Sequence, residues 1–167
     1  KDAGWAPNSY ADNDAYFYVS SDGRLYLKDD TGGQPYATYP FAGLLDGTME
    51  FSAGVAGSQS QYGYIYLNST TGGTLAELRL TNNTSWTFYD GQGSTAITGA
   101  GSDTLSYFSL SWTVNPDGTG GTISLSQNGT PIVTNHPFMT NGIPGVLKLM
   151  VGFNSGVNKI LFLGDLK

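Results

Sequence analysis

The chain has no cysteine, one histidine and only two glutamates in 167 residues. The missing cysteine removes a disulfide framework, a thiol nucleophile and thiolate metal ligands together, and a lone histidine leaves zinc without a ligand set. Charge is scarce as well, at 12% of residues, and acidic in balance, with a net charge of −6 and a pI near 4.3. Nucleic-acid phosphates need a basic patch, so a nucleic-acid partner is not expected. The balance suits a neutral or cationic ligand, although a local cluster of Lys and Arg can still meet an acidic one. No apolar run approaches the roughly 20 residues of a membrane-spanning helix, and no window carries a strong 3.6-residue apolar period. The chain therefore reads as soluble, non-helical and without a membrane partner. It starts at Lys1 with no charged-then-apolar leader, which reads as a mature or excised piece.

What the sequence has in quantity is glycine, at 24 residues, and aromatic side chains, at 13%. Together with seven prolines these indicate a turn-rich all-β protein, and the length suits one domain over residues 1–167 with a core of its own. Trp5 and Pro7 lie in a polar lead-in, where Trp5 is expected to cap one end of the fold. Strands are expected over 15–20 and 24–28, joined by a turn at Ser21-Asp22-Gly23, then over 35–41 with Tyr36 and Tyr39. Over 47–56, Met49, Phe51, Ala53 and Val55 share an inward phase. Residues 91–103 read as a long small-residue loop that could rim a site. Over 105–114, Phe108, Leu110, Trp112 and Val114 point inward, so Trp112 belongs to the core. Strands 122–127 and 131–134 flank Asn128-Gly129, a type I′ hairpin signal. Over 146–153, Leu147, Leu149, Val151 and Phe153 share one face with Lys148 opposite, and a last strand covers 158–166. About a dozen short strands at regular spacing imply a two-sheet antiparallel β-sandwich or barrel. The Asn-x-Ser/Thr triplets at Asn68, Asn82, Asn83 and Asn128 read as chance in so Asn/Thr-rich a chain.

The densest stretch is 61–90, QYGYIYLNSTTGGTLAELRLTNNTSWTFYD. Strand alternation sends Tyr62, Tyr64 and Tyr66 to one face and Gly63, Ile65 and Leu67 to the other. After a polar turn at 68–74, Leu75, Glu77 and Arg79 alternate with Ala76, Leu78 and Leu80. Thr87 and Tyr89 then oppose Trp86 and Phe88. Trp86 has two readings, because it shares the phase of Phe88 yet follows an exposed-looking turn.

The segments YATYPF (36–41), GTMEF (47–51), 62–67 and 75–80, the Trp112 strand, the Asn128-Gly129 hairpin, Pro137-Phe138 and the closing VLKLMVGFNSGVNKILFLGDL together resemble a concanavalin A-like jelly roll. More narrowly, they resemble the laminin-G-like carbohydrate-binding modules of secreted bacterial polysaccharide-degrading enzymes. The pattern runs from about residue 15 onward and contains no signature motif. The resemblance implies a glycan site on the concave sheet or at its loop edge, and often a structural calcium. Sugar rings present apolar C–H faces to π surfaces while their edges hydrogen-bond. Tyr62, Tyr64, Tyr66 and Tyr89 meet that need, with Trp86 at the margin, and Glu77, Arg79 and Lys148 supply charged partners for hydroxyls or, for the cations, a uronate carboxylate. The plainer reading of Glu77 and Arg79 is a same-face ion pair. For calcium, Asp12, Asp14 and Asp165 offer hard oxygens at no fixed spacing, and such residues are also ordinary turn formers.

Catalysis finds less support. Glycoside hydrolysis needs two opposed carboxylates; Glu50 and Glu77 lie on outward phases of separate strands, and the Glu-x-Asp-x-x-Glu run of jelly-roll glucanases is missing. Jelly-roll alginate lyases carry an Arg-x-Glu-x-Arg strand and a Gln-x-His strand, and residues 76–79 (AELR) offer half of the first and nothing of the second. His136 sits in a turn-like Asn-His-Pro context. The expectation is therefore a non-catalytic, monomeric, extracellular module. It would target a covalently linked catalytic domain to a plant or algal cell-wall polysaccharide, an acidic one such as pectin included. A small lyase or hydrolase, and an adhesin or spacer, are the alternatives.

Overall fold

The computed structural model describes residues 4–7, 17–19, 24–29, 35–56, 62–81, 86–97, 105–151 and 159–167. They form fourteen strands in chain order: β1 Ala6–Pro7, β2 Phe17–Val19, β3 Leu25–Asp29, β4 Tyr36–Pro40, β5 Asp46–Ala56, β6 Tyr62–Ser69, β7 Thr74–Thr81, β8 Trp86–Asp90, β9 Gly93–Ile97, β10 Ser106–Val114, β11 Gly121–Gln127, β12 Thr130–Pro137, β13 Pro144–Val151 and β14 Lys159–Gly164. The strands make two seven-stranded sheets, a front sheet ordered β1-β4-β13-β6-β7-β8-β9 and a back sheet ordered β12-β11-β10-β5-β14-β3-β2. Every pairing among the described strands is antiparallel. The protein is an all-β two-sheet sandwich, as the strand spacing predicts.

Period-two alternation decides what each sheet buries. From the front sheet, Ile65, Leu67, Leu78, Leu80, Phe88, Leu147 and Leu149 point inward; from the back sheet, Phe51, Val55, Phe108, Leu110, Ile123 and Leu125 meet them. Rings interlock at the centre, with Phe108 5.6 Å from Phe51 and 5.7 Å from Trp86. Gly63 lies where an added Cβ would come within 2.7 Å of Val55 and 2.9 Å of Leu161, so the sheets approach closely beside Tyr64. Trp112 is buried and its indole N–H donates to the Leu44 carbonyl at 3.1 Å. Trp5 packs on Tyr39 with ring centroids 5.4 Å apart, at the margin of the core, in keeping with its capping role.

Four sequence expectations change. Residues 91–103 are not one long loop: Asp90 accepts from the Gln92 backbone N–H at 2.8 Å, and this tight turn leads straight into β9, which pairs with β8. The small side chains of Ser94, Thr95 and Ala96 hid a five-residue edge strand that carries little apolar pattern of its own. His136 is in strand β12 opposite Ile123, not in a turn, because the hairpin strand runs three residues past its expected end. Leu75 is fully buried and does not share the outward face of Glu77 and Arg79; a register shift between β6 and β7 at Leu67/Asn68 lets Leu75 and Ala76 both turn inward. Trp86, a candidate ligand contact, is 0% exposed and packs on Phe108, so the phase shared with Phe88 prevailed over the polarity of the preceding turn.

Candidate functional site

The outward face of the front sheet gathers residues that are far apart in sequence. Cross-strand pairing sets them in two rows, Thr38–Lys148–Tyr66–Glu77–Tyr89 and Tyr36–Met150–Tyr64–Arg79–Thr87. Each row crosses five strands, about 19 Å at the usual inter-strand spacing. That is room for an oligosaccharide and more than one ring requires.

Within these rows the side chains stack. Tyr64 and Tyr66, two apart on β6, lie with centroids 5.8 Å apart and planes 6° from parallel. The Arg79 guanidinium sits 4.5 Å from the centroid of Tyr89 and 5.3 Å from that of Tyr64. Its Nε and Nη2 both donate to Glu77 Oε1, at 2.9 and 2.8 Å. On the other side, Lys148 Nζ lies 4.4 Å from the Tyr36 centroid and 5.6 Å from that of Tyr66. The face is thus a run of half-buried tyrosines with a cation at each end and one carboxylate beside Arg79. Cation–π contacts of this kind are each worth about 0.5–1 kcal/mol where solvent reaches them.

The electrostatics bear on chemistry. Burial first, then the negative charge of Glu77 and the neighbouring Tyr64, push the Tyr66 phenol far above its ordinary value, with Arg79 opposing. Tyr66 therefore stays protonated and offers a neutral hydroxyl. For Arg79, burial works against the charge, but the hydrogen bond and charge of Glu77, followed by Tyr89 and Tyr64, raise its pKa overall.

The structure brings Tyr64, Tyr66, Glu77, Arg79, Tyr89 and Lys148 to one face. Tyr62 pairs with Thr81 in the backbone ladder, and its side chain lies outside the described set. Sequence reading missed the roles of Tyr36 and Asn68. Tyr36 was visible as an outward residue of its strand, but nothing local told that β4 borders β13 and so puts this ring under Lys148. Asn68 was taken as turn; it belongs to β6, and its side-chain oxygen is buried with no hydrogen-bond partner. Of the proposed calcium ligands, Asp12 and Asp14 lie outside the described residues. Asp165 is exposed, holds a positive φ of 52° and accepts from Ser52 Oγ at 3.0 Å. Among the described residues no group of three acidic, His or Cys side chains surrounds it, and one carboxylate so engaged does not by itself make a calcium site.

The catalytic candidates do not converge. Glu50 is on the outward face of the back sheet, hydrogen-bonded to exposed Tyr107, whose phenol it raises. Glu77 is on the outward face of the front sheet, with the whole core between them, so the two cannot act on one glycosidic bond. His136 Nδ1 lies 2.9 Å from the Asp90 carboxylate, which is 1% exposed. Asp90 follows Tyr89 on β8 and faces the opposite way, so the pair ties the sheet edges together behind the tyrosine face.

No protein-family model matches the chain, and no curated protein sequence matches it significantly. Solved structures do match in shape. A sialidase superposes over all of this chain with a TM-score of 0.73 at 9% identity, the chain spanning only 18% of the sialidase. The alginate lyase from Corynebacterium sp. matches 91% of this chain and 79% of its own length, with a TM-score of 0.63 and 12% identity. The potassium-bound carbohydrate recognition domain of Emp46p matches 97% and 88%, with a TM-score of 0.61 and 14% identity. At such identities the likeness defines the fold: the chain is a concanavalin A-like jelly roll.

Proposed function

We propose that this chain is a non-catalytic carbohydrate-binding module whose ligand lies along the tyrosine face of the front sheet. The observation that carries the reading is the parallel Tyr64–Tyr66 pair flanked by Arg79–Glu77 and Lys148, which sets aromatic surface beside hydrogen-bonding groups, as a pyranose ring requires. The Emp46p domain, named for carbohydrate recognition, supports the ligand class through its shared fold. In this reading the ligand is a plant or algal cell-wall polysaccharide. The module is secreted and monomeric, and holds a covalently linked catalytic domain near its polymer, raising the effective concentration.

The alginate lyases among the structural neighbours favour a second reading, a small lyase on the same face. Against it stand a Tyr66 phenol held protonated, a poor proton acceptor, and a His136 turned toward Asp90. Affinity gel electrophoresis against pectins, xylans, β-glucans, mannans and alginate, with parallel ultraviolet assay for unsaturated products, separates the two. Retardation without product supports the module. Product formation sinks it, and a folded protein that no polysaccharide retards points to an adhesin or spacer. Repeating the gel with a chelator tests the calcium that Asp12 and Asp14 would have to help hold.

A further inference from the structure

We propose that Lys148 reads a carboxylate on the bound glycan, so that the face selects chains containing uronic acid, while Arg79 and Glu77 together read sugar hydroxyls. The proposal rests on the glycan-binding reading above and assigns the roles within it.

The two cations of the face are not equivalent. Arg79 has its Nε–Nη2 edge on Glu77 and its guanidinium carbon over the rings of Tyr64 and Tyr89. Its charge is neutralised locally by that carboxylate. An N–H donor next to a carboxylate acceptor suits an adjacent pair of hydroxyls, each of which donates and accepts, whereas an anion gains little from so masked a charge. Lys148 has no carboxylate partner among the described residues; its ammonium rests only against the Tyr36 and Tyr66 rings. The face therefore carries one uncompensated positive charge on a chain whose net charge is −6, and Lys148 holds it. The Tyr36 and Tyr66 rings hold the ammonium beside them, within reach of a substituent on a sugar bound at Tyr66.

Register also gives the ligand an orientation. Lys148, Tyr66 and Glu77 are successive members of one row on β13, β6 and β7. A uronate ring over Tyr66 thus turns its carboxylate toward β13 and its hydroxyls toward β7. The reverse placement sets carboxylate against Glu77.

The test compares polygalacturonate and alginate with their carboxyl-reduced, neutral counterparts, using the whole chain and the variants Lys148→Met and Lys148→Arg, each first shown to be folded by circular dichroism. The expected result is that K148M binds the acidic polymers about tenfold more weakly, the scale of one charge-assisted contact, and loses several-fold less on the neutral ones. K148R keeps acidic binding. Raising salt from about 0.1 to about 1 M, which shortens the screening length from roughly 10 to 3 Å, weakens the parent on acidic polymer and leaves K148M nearly flat. Equal parent affinity for acidic and reduced polymers, or equal loss on both in K148M, overturns the proposal while leaving glycan binding intact. A parent that binds neither kind of polymer overturns the glycan reading and this proposal with it.

Discussion

Replacing Glu77 by Gln should strengthen binding to an acidic glycan, although it removes the ion-pair partner of Arg79. Glu77 lies two strands from Lys148 in the same row, about 10 Å at the usual strand spacing. At that distance, in a nearly aqueous dielectric, its repulsion of a carboxylate held by Lys148 is about 0.5 kcal/mol, worth two- to threefold in affinity. The larger gain comes from Arg79, whose unmasked charge can then take a second carboxylate, and the two effects together give about tenfold. Little stability is lost. The amide oxygen of the new side chain still accepts from Nε, and a partly exposed pair contributes only about 0.5–1 kcal/mol. Isothermal titration with oligogalacturonate at several ionic strengths measures both the affinity and its salt slope, which should steepen. If affinity falls while the protein remains folded, Glu77 orients Arg79 for the ligand and does not mask it, and the division of labour between the two cations is wrong.

Tyr64→Ala removes a ring stacked on Tyr66 and under the Arg79 guanidinium; a loss of about 1.5 kcal/mol, or roughly tenfold, in affinity for acidic and neutral glycans alike is expected, read by titration beside a thermal midpoint lowered by only a few degrees as those contacts are lost. His136→Ala leaves the buried Asp90 carboxylate with only the Gln92 N–H, which should cost about 2–3 kcal/mol in urea unfolding and leave glycan affinity as it was; abolished product formation in a lyase assay would instead put His136 in catalysis. The raised Tyr66 phenol predicts that stability from this group is complete below the ordinary tyrosine pKa near 10 and drains away as pH climbs beyond it, because the unfolded chain ionises first. An alkaline denaturation series on the parent and Tyr66→Phe shows this as a shallower loss in the variant, and identical curves would remove it.

The fold was legible because the inward residues are large and alternate without interruption. Phe51, Phe108, Leu110, Ile123, Leu147 and Leu149 all lie on the predicted phase. The face was half legible for the same reason: Tyr64, Tyr66, Glu77, Arg79 and Tyr89 come from three consecutive strands, so local alternation was enough to group them. Lys148 was named from its outward phase alone, and Tyr36 was not named as a site residue at all. They join the face only because β13 inserts between β4 and β6, a long-range pairing that no local pattern encodes. The errors share a cause as well. β9 is built of small polar residues, the inward turn of Leu75 depends on a register shift, and Trp86 was judged by its neighbours in sequence. In each case the deciding contact is with a strand or ring that sequence alone does not place.

The same alternation explains why recognition and stability can be separated in this molecule. On β6 the inward partners of the tyrosines are Gly63, Ile65 and Leu67, and the core they join is complete without the rings on the other side. Outward residues of β4, β13, β6, β7 and β8 meet one another across the face, so exchanging them alters the ligand's surroundings without opening a cavity in the core. Trp86 marks the limit, since its ring is wholly interior and its loss would unmake the packing against Phe108. In the proposed reading, ligand choice rests on a few outward positions, and the Lys148 charge, with no carboxylate partner among the described residues, is the term that a neutral glycan cannot use and a uronate can.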